Sequence, residues 1–543
     1  MRAKKVVGSV LVLLLTATAT LTACSNSNDK NTPANNGGTN NGGKEGTEQS
    51  AAFTLGSQPL NFSFYGNYDW MTTAPWGEDI PSQWLRDEMK ITVEPIQSGG
   101  AAQQKMSTML AGDDLPDVIM LDRGADVEKL VTAGKLVAFD EYLDKYPNLK
   151  KWAGEETLNM LRSSDGKLYQ FPNWYTTTPN GNAGYLINRK IYKELGSPKL
   201  VTFDDLYAYL KSVKEKYPNV VPLETDVEGQ GVNILASGFA EDYVTTWIGE
   251  RGVPSGDKFV SLFSDPTFVE TMQYSSKLFR EKLITQDTLT QKKEQITEKI
   301  KAGRVAVYVS YSVLEPSVAE ANNTMRAADP DSGYDVIWPL HKAGLDKNKI
   351  YPNTFNKLGW NVNVITTAAE NPEGIFAYLD WLTGPEGTST VFYGPKGKYW
   401  SELDENEYPK LNDTWFSTPQ ADKDKEKLGA VMLTGNTTYL DTMKMSLEQK
   451  MKPEQRQWTN TMQSTITWKT SKDLTPFVNL NPSGDSEEGI AKTAVDDIFK
   501  KYFAQALFAK SDDEVVAVLK KAEAEANAQG YEKLLAYKTK MWQ

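Results

Sequence analysis

The chain of 543 residues has one histidine, His341, and one cysteine, Cys24. That stock removes most metal and nucleophile chemistry, because no His pair, Cys cluster, Cys-His couple or disulfide can be assembled. A Ser-His-Asp triad would have to use His341, and neither a Gly-x-Ser-x-Gly elbow nor a phosphate-binding loop is present. The carboxylate doublets Asp113-Asp114, Glu155-Glu156 and Glu487-Glu488 fall on expected turns or helix surfaces, where solvation accounts for them. The chain is richer in aromatic groups, with 14 Trp, 25 Tyr and 19 Phe. Flat aromatic faces suit the apolar side of a ring-shaped ligand, and planar polar groups suit polar groups on it, which are costly to leave unpaired when buried. Several aromatics sit on expected loops. Tyr65 and Trp70 belong to the run Phe62-Ser-Phe-Tyr-Gly-Asn-Tyr-Asp-Trp70, followed by Trp76; Trp174 and Tyr175 follow Pro172. Core packing competes with ligand contact for each of them.

The elements that must position these groups alternate between strand and helix patterns. Apolar runs such as Pro116-Asp-Val-Ile-Met-Leu121 and Gly303-Arg-Val-Ala-Val-Tyr-Val-Ser310 are separated by amphipathic stretches, an α/β signature. Thr202-Phe-Asp-Asp205 reads as a capping box, Asn371-Pro372 as a helix start that Gly384-Pro385 ends, and Ser511-Asp-Asp-Glu514 as another start. From Glu487 to Trp542 the pattern is helical, with Ile490, Ala494, Ile498, Tyr502 and Ala506 expected on one buried face. The length exceeds what one core sustains, so two lobes are expected. Hydrophobic residues at 40% and charged residues at 24% fit a soluble globular protein. The 59 Lys+Arg against 71 Asp+Glu give a net charge of −12, which argues against a nucleic-acid partner.

Residues 1–23 read as a secretory signal: Arg2, Lys4 and Lys5 precede an apolar run from Val6 to Leu15 that is too short to span a membrane. The run ends in Leu21-Thr22-Ala23-Cys24, which resembles the bacterial lipobox, whose Cys is acylated. Cleavage there removes three basic residues and no acidic ones, leaving a charge of −15. Ser25 to Ser50 is rich in Asn, Gly, Ser and Thr and lacks the apolar content to fold. As a flexible coil it reaches about 28 Å.

Several segments in order resemble the extracellular solute-binding proteins, family 1, that feed sugar ABC importers. They are Leu110-Ala-Gly-Asp-Asp-Leu-Pro-Asp-Val-Ile-Met-Leu121, Leu130-Val-Thr-Ala-Gly-Lys-Leu-Val-Ala-Phe-Asp140, Asp165-Gly-Lys-Leu-Tyr-Gln-Phe-Pro172, Tyr185-Leu-Ile-Asn188 to Gly196, Phe203-Asp-Asp-Leu206, Lys301-Ala-Gly-Arg-Val-Ala-Val307 and Tyr378-Leu-Asp-Trp-Leu382. Tyr393-Gly-Pro-Lys-Gly-Lys-Tyr-Trp400 and the helical tail resemble the large members that take oligosaccharides. The resemblance implies a two-lobe type II periplasmic-binding fold of the α/β class, with an interlobe ligand cleft and a helical C-terminal segment. It places lobe 1 at 58–173 plus 340–392 and lobe 2 at 180–335 plus 400–543, after a signal at 1–23 and an acylated Cys and tether at 24–57. Trp247, Tyr311, Trp360, Tyr399 and Trp400 then fall near cleft-facing segments. Asp122-Arg123 matches a pair that relatives use on ligand hydroxyls, with a solvated ion pair as the competing reading. His341 falls just after the second interlobe crossing, where a structural role is expected.

The function implied is capture of an oligosaccharide and delivery to an ABC permease by a monomeric lipoprotein. It would be anchored through Cys24 on the outer face of the cytoplasmic membrane, without enzymatic activity, cofactor or nucleic-acid partner. A surface glycoside hydrolase is the alternative, since aromatic clefts and carboxylates serve both. No metal is expected. The stretch Lys216-Tyr-Pro-Asn-Val-Val-Pro-Leu223 lacks the calcium loop of large relatives. Asp329-Pro-Asp-Ser-Gly-Tyr-Asp335 has Tyr334 and Leu340 where a calcium loop needs Gly and Glu, so it reads as a turn.

Overall fold

A computed structural model describes residues 52–543 except Ser483, Asp485 and the side chain of Glu454. Cys24, the signal and the tether lie outside the described residues. Two sheets organise the chain. In the first, strands run in the order Ile91–Ile96, Leu60–Gly66, Val118–Leu121, Asn361–Ile365, Phe171–Asn173. The first three are parallel, and Asn361–Ile365 runs antiparallel to both of its neighbours. In the second sheet the order is Tyr334–Ile337, Gly184–Asn188, Val305–Ser310, Val221–Glu224. Val305–Ser310 is parallel to Val221–Glu224 and antiparallel to Gly184–Asn188. Every residue of Val118–Leu121 and of Val305–Ser310 is buried, as expected of central strands covered on both faces by helices.

Local helix signals fold as their chemistry dictates. Thr202 and Asp205 form a reciprocal capping box, Asn371 accepts from the Gly374 amide, and Ser511 accepts from the Glu514 amide. The C-terminal helices are Glu487–Leu507, Asp512–Ala528 and Tyr531–Trp542. Their buried face differs from the expected one, since Ile490 is 63% exposed and Ala491, Val495, Phe499 and Phe503 join Ile498, Tyr502 and Ala506 inside. A strict four-residue spacing drifts by about 40° per step on a 3.6-residue helix, so a stripe begun at Ile490 rotates out of the core. Asp329–Gly333 is a turn tied down by Lys190 and Lys193.

Two boundaries move from the expected positions. Residues 340–352 pack with the second lobe: Leu340 joins its core, and the backbone of His341 pairs with Val201 and Phe203. The His341 ring is buried with Nδ1 2.8 Å from the Lys342 carbonyl, a structural placement. Residues 393–450 belong with the first lobe instead of the second. There Tyr393, Trp400, Trp415, Tyr439 and Met443 form a subcore that packs against Trp152, Trp174 and Phe392. The Ile80 amide donates to the Glu426 carbonyl, and the Asn363 side chain donates to the Leu433 carbonyl. These contacts join segments far apart in sequence, which no local pattern encodes.

The chain crosses between lobes near 174–183, 353–360 and 451–474, and the crossings are laced together. Asn353 accepts from the Ala183 amide at 2.7 Å and donates to its carbonyl at 2.9 Å. Gln463 donates to Asn182 and Thr467 to the Gly181 carbonyl, both at 2.8 Å. Asn353–Phe355 pairs in parallel with Ser471–Asp473. Gly359 sits at φ +72°, and a Cβ there would lie 2.0 Å from the Asn173 carbonyl oxygen. Gly359→Ala is expected to cost more than the roughly 1–2 kcal/mol of a left-handed L-residue, because the second crossing must also move off the first. Chemical denaturation of the variant checks this.

Candidate functional site

The strand Leu60–Gly66 ends at the edge of the first lobe, and the loop after it carries Tyr68 and Trp70. The second crossing brings Trp360 beside them. Ring centroids lie 5.5 Å apart for Tyr68–Trp70, 5.3 Å for Tyr68–Trp360 and 6.2 Å for Trp70–Trp360. Trp70 is 70% exposed and Trp360 46%, an open aromatic surface of a kind that asks for a partner. The Tyr68 hydroxyl donates to Asp122 at 2.7 Å. Burial first, and Asp122 second, push this phenol well above its ordinary range, so it remains a proton donor. Asp122 is exposed, which leaves its carboxylate lone pairs open to hydroxyl donors.

Arg123 is turned the other way. Its Nη1 donates to the carbonyls of Leu358 and Gly359, clamping the second crossing onto the first lobe. Burial brings the guanidinium down to about 10 in spite of Asp122. Nε is buried without a partner among the described residues. Arg123 therefore orients Trp360 through the backbone and is not set out as an open grip for ligand.

On the second-lobe side lies a hollow of about 310 Å³, lined by Asn182, Thr245, Thr246, Tyr311, Asn353 and Thr354 among others. Tyr311, directly after Val305–Ser310, is 38% exposed there. Thr354 and Trp360 are six residues apart, so hollow and aromatic surface lie within about 22 Å along the second crossing. The arrangement offers flat apolar faces at one end and hydroxyl and amide groups at the other. No carboxylate or cation is among the residues lining the hollow.

Other expected site residues are placed elsewhere. Tyr65 is fully buried and donates to the Ala102 carbonyl. Tyr175 is enclosed in the first-lobe core, and Trp76 packs against it while donating from Nε1 to the Ile91 carbonyl. Trp247 is 6% exposed, edge-on to Phe259 and Phe477 at 6.2 and 4.8 Å. Tyr399 donates to Glu426, and Trp400 donates to the Gly394 carbonyl inside the subcore. Five of these six spend their rings on packing and leave no face for a sugar, and Trp76 is partly buried against the core. Trp174 is intermediate: half-buried at φ +56°, it donates its amide to the Gly435 carbonyl and lays its ring on Gly435. Tyr68 was within the aromatic run but not singled out by sequence. Its signal is position, two residues before Trp70 and just past the glycine that ends the strand.

A family profile described as bacterial extracellular solute-binding protein matches residues 72–389, more than half of the chain. The chain belongs to this family. Lipoprotein LipO of Bacillus subtilis is 26% identical over 324 residues, 57% of this chain and 61% of that protein. The polygalacturonan/rhamnogalacturonan-binding protein YtcQ of the same organism is 23% identical over 339 residues, 60% of this chain and 63% of that protein. The matches thus span less than two thirds of those relatives. Among solved structures, the alginate-binding protein AlgQ2 without calcium superposes with a TM-score of 0.68 at 16% identity, over 92% of this chain and 100% of that one. FusA of S. pneumoniae in complex with kestose gives 0.65 at 18%, over 89% and 99%. The family's two-lobe architecture is the one described above.

Proposed function

We propose that this protein captures an oligosaccharide between its two lobes and delivers it to the permease of an ABC importer. The observation that carries this reading is the exposed trio Tyr68, Trp70 and Trp360 beside Asp122, facing the same crossing as the Tyr311 hollow. Trp70 and Trp360 stack on sugar rings, Asp122 accepts from their hydroxyls, and Asn and Thr groups in the hollow hold the chain's end. The names of YtcQ, AlgQ2 and the FusA complex, all of carbohydrate binders, support a glycan ligand. A hinge closing around the ligand produces the form a permease reads.

Trp360→Ala is expected to weaken oligosaccharide binding by about 1–3 kcal/mol, roughly 5-fold to 150-fold, with the melting curve unchanged. Calorimetric titration with a panel of neutral and acidic oligosaccharides, alongside thermal melts, checks it. In the same samples a binding protein releases no reducing ends. Release would favour the hydrolase, which needs two carboxyl groups set across the bond to be cut.

The protein acts from the outer face of the cytoplasmic membrane as a lipid-anchored monomer. The support is the lipobox-like Leu21-Thr22-Ala23-Cys24 and the lipoprotein LipO among its relatives. Cys24→Ser is expected to release the protein from membranes while ligand affinity stays the same, as fractionation and titration of the variant would record.

A further inference from the structure

Apart from the cleft, the first-lobe subcore holds a second pocket of about 240 Å³ where the helix Thr437–Lys450 meets the start of the third crossing. Lys444 of that helix lines it, with Nζ 5.0 Å from the centroid of the Phe392 ring. Among the described residues, no carboxylate lies within ion-pair distance of this ammonium and no acceptor within hydrogen-bond distance. Enclosure keeps it below the ordinary lysine range, with Asp441 the charge that offsets part of that cost. Lys423, the other cation of the wall, is occupied: it donates to the Trp415 carbonyl at 3.0 Å and lies 3.9 Å from the centre of the Trp415 ring. Glu448 faces the same space, accepting from the Gln457 amide and from Asn460. A half-buried ammonium with no direct ion pair has its charge offset by Asp441 only through space, and an anion entering the pocket meets it directly.

We propose that this pocket binds a small polyhydroxy carboxylate, a hexuronate monosaccharide in chemical class. Lys444 takes the carboxylate, while Glu448 and the amides of Gln457 and Asn460 take hydroxyls. The wall selects against phosphate, because a dianion would be brought up against the Glu448 carboxylate, whereas a monoanion on a hydroxylated body uses both charges of the wall. The location adds weight: Gln457 and Asn460 flank Trp458, which packs on the second lobe, so the site lies where the third crossing leaves the first lobe.

The test is titration of the full chain with D-galacturonate, D-galactose and inorganic phosphate, on the wild type, Lys444→Met and Trp360→Ala. Methionine keeps the stem and removes the charge. The expected result is saturable galacturonate binding that falls at least tenfold in Lys444→Met and persists in Trp360→Ala, with galactose and phosphate weaker by a similar factor. Methyl-labelled methionine spectra of the wild type provide a readout without substitution: Met451, in the pocket wall, shifts with galacturonate. The proposal is overturned by equal binding of galactose or phosphate, by undiminished binding in Lys444→Met, by loss in Trp360→Ala, or by a Met451 signal that stays fixed at saturating galacturonate. Oligosaccharide binding in the cleft is read separately, so failure here leaves that reading standing.

Discussion

Trp247→Ala lowers the stability of the protein by about 3–5 kcal/mol and leaves the affinity of the folded fraction for oligosaccharide unchanged. The indole is 6% exposed and closes a contact between the second-lobe segment around Thr246–Gly249 and the chain returning at Phe477. Its neighbours Phe259 and Phe477 meet it edge-on, an arrangement worth about 0.5–1.5 kcal/mol beyond the area it buries. The cavity left by truncation is walled by further aromatics, Trp542 among them, which are themselves packed and cannot collapse inward cheaply. Denaturant titration with binding measured on the same preparation separates this outcome from a ligand-contacting tryptophan. Lost affinity at unchanged stability would overturn the core assignment.

The second large effect is electrostatic. Asp441 is buried on the helix Thr437–Lys450, and burial raises its carboxyl to about 6, with Lys444 pulling only partly the other way. A carboxyl whose folded value lies above its unfolded value near 3.8 binds more protons in the native state across the window between them. Its contribution to stability is therefore complete below about pH 3.8 and is lost as pH rises through about 6. The loss amounts to about 3 kcal/mol. Asp441→Asn should remove this slope: between pH 4.5 and pH 7.5 the variant gains about 2 kcal/mol of stability on the wild type. Urea titrations at pH values between 4.5 and 7.5 measure it, and parallel pH profiles for the two proteins would contradict the assignment.

How much of this was legible in the sequence depended on the range of the interaction involved. The capping box at Thr202 and the cap at Asn371 were readable because donor and acceptor lie three residues apart. The central strand Val305–Ser310 was readable because burial on both faces demands an unbroken apolar run. Tyr65 was not separable from Trp70 in the same way. Both lie in one aromatic run, but Tyr65 is still inside a strand flanked by Ile91–Ile96 and Val118–Leu121, whereas Trp70 falls four residues beyond its end. Trp400 reads equally well as a cleft residue until the Gly394 carbonyl is found opposite its Nε1. The Asp122-Arg123 pair was found by resemblance, yet its two members point to different tasks. That division is set by the carbonyls of Leu358 and Gly359, more than 230 positions away.

The lacing of the three crossings has a mechanical meaning. Three strands of chain fastened to one another at Gly181, Asn182, Ala183, Asn353, Gln463 and Thr467 cannot slide past each other without giving up those bonds, so they act as an axle. Around an axle, displacement grows with radius. The hollow is lined by Asn353 and Thr354 of that axle beside Thr245, Thr246 and Tyr311 of the second lobe, which puts it close to the pivot. The tips of the lobes sweep through the largest arc. A glycan bound as proposed would be met first by a socket near the pivot and then clasped along its length by a jaw whose final angle is set by its girth. On that proposed reading the terminal ring is the part judged for fit and the remainder the part judged for bulk.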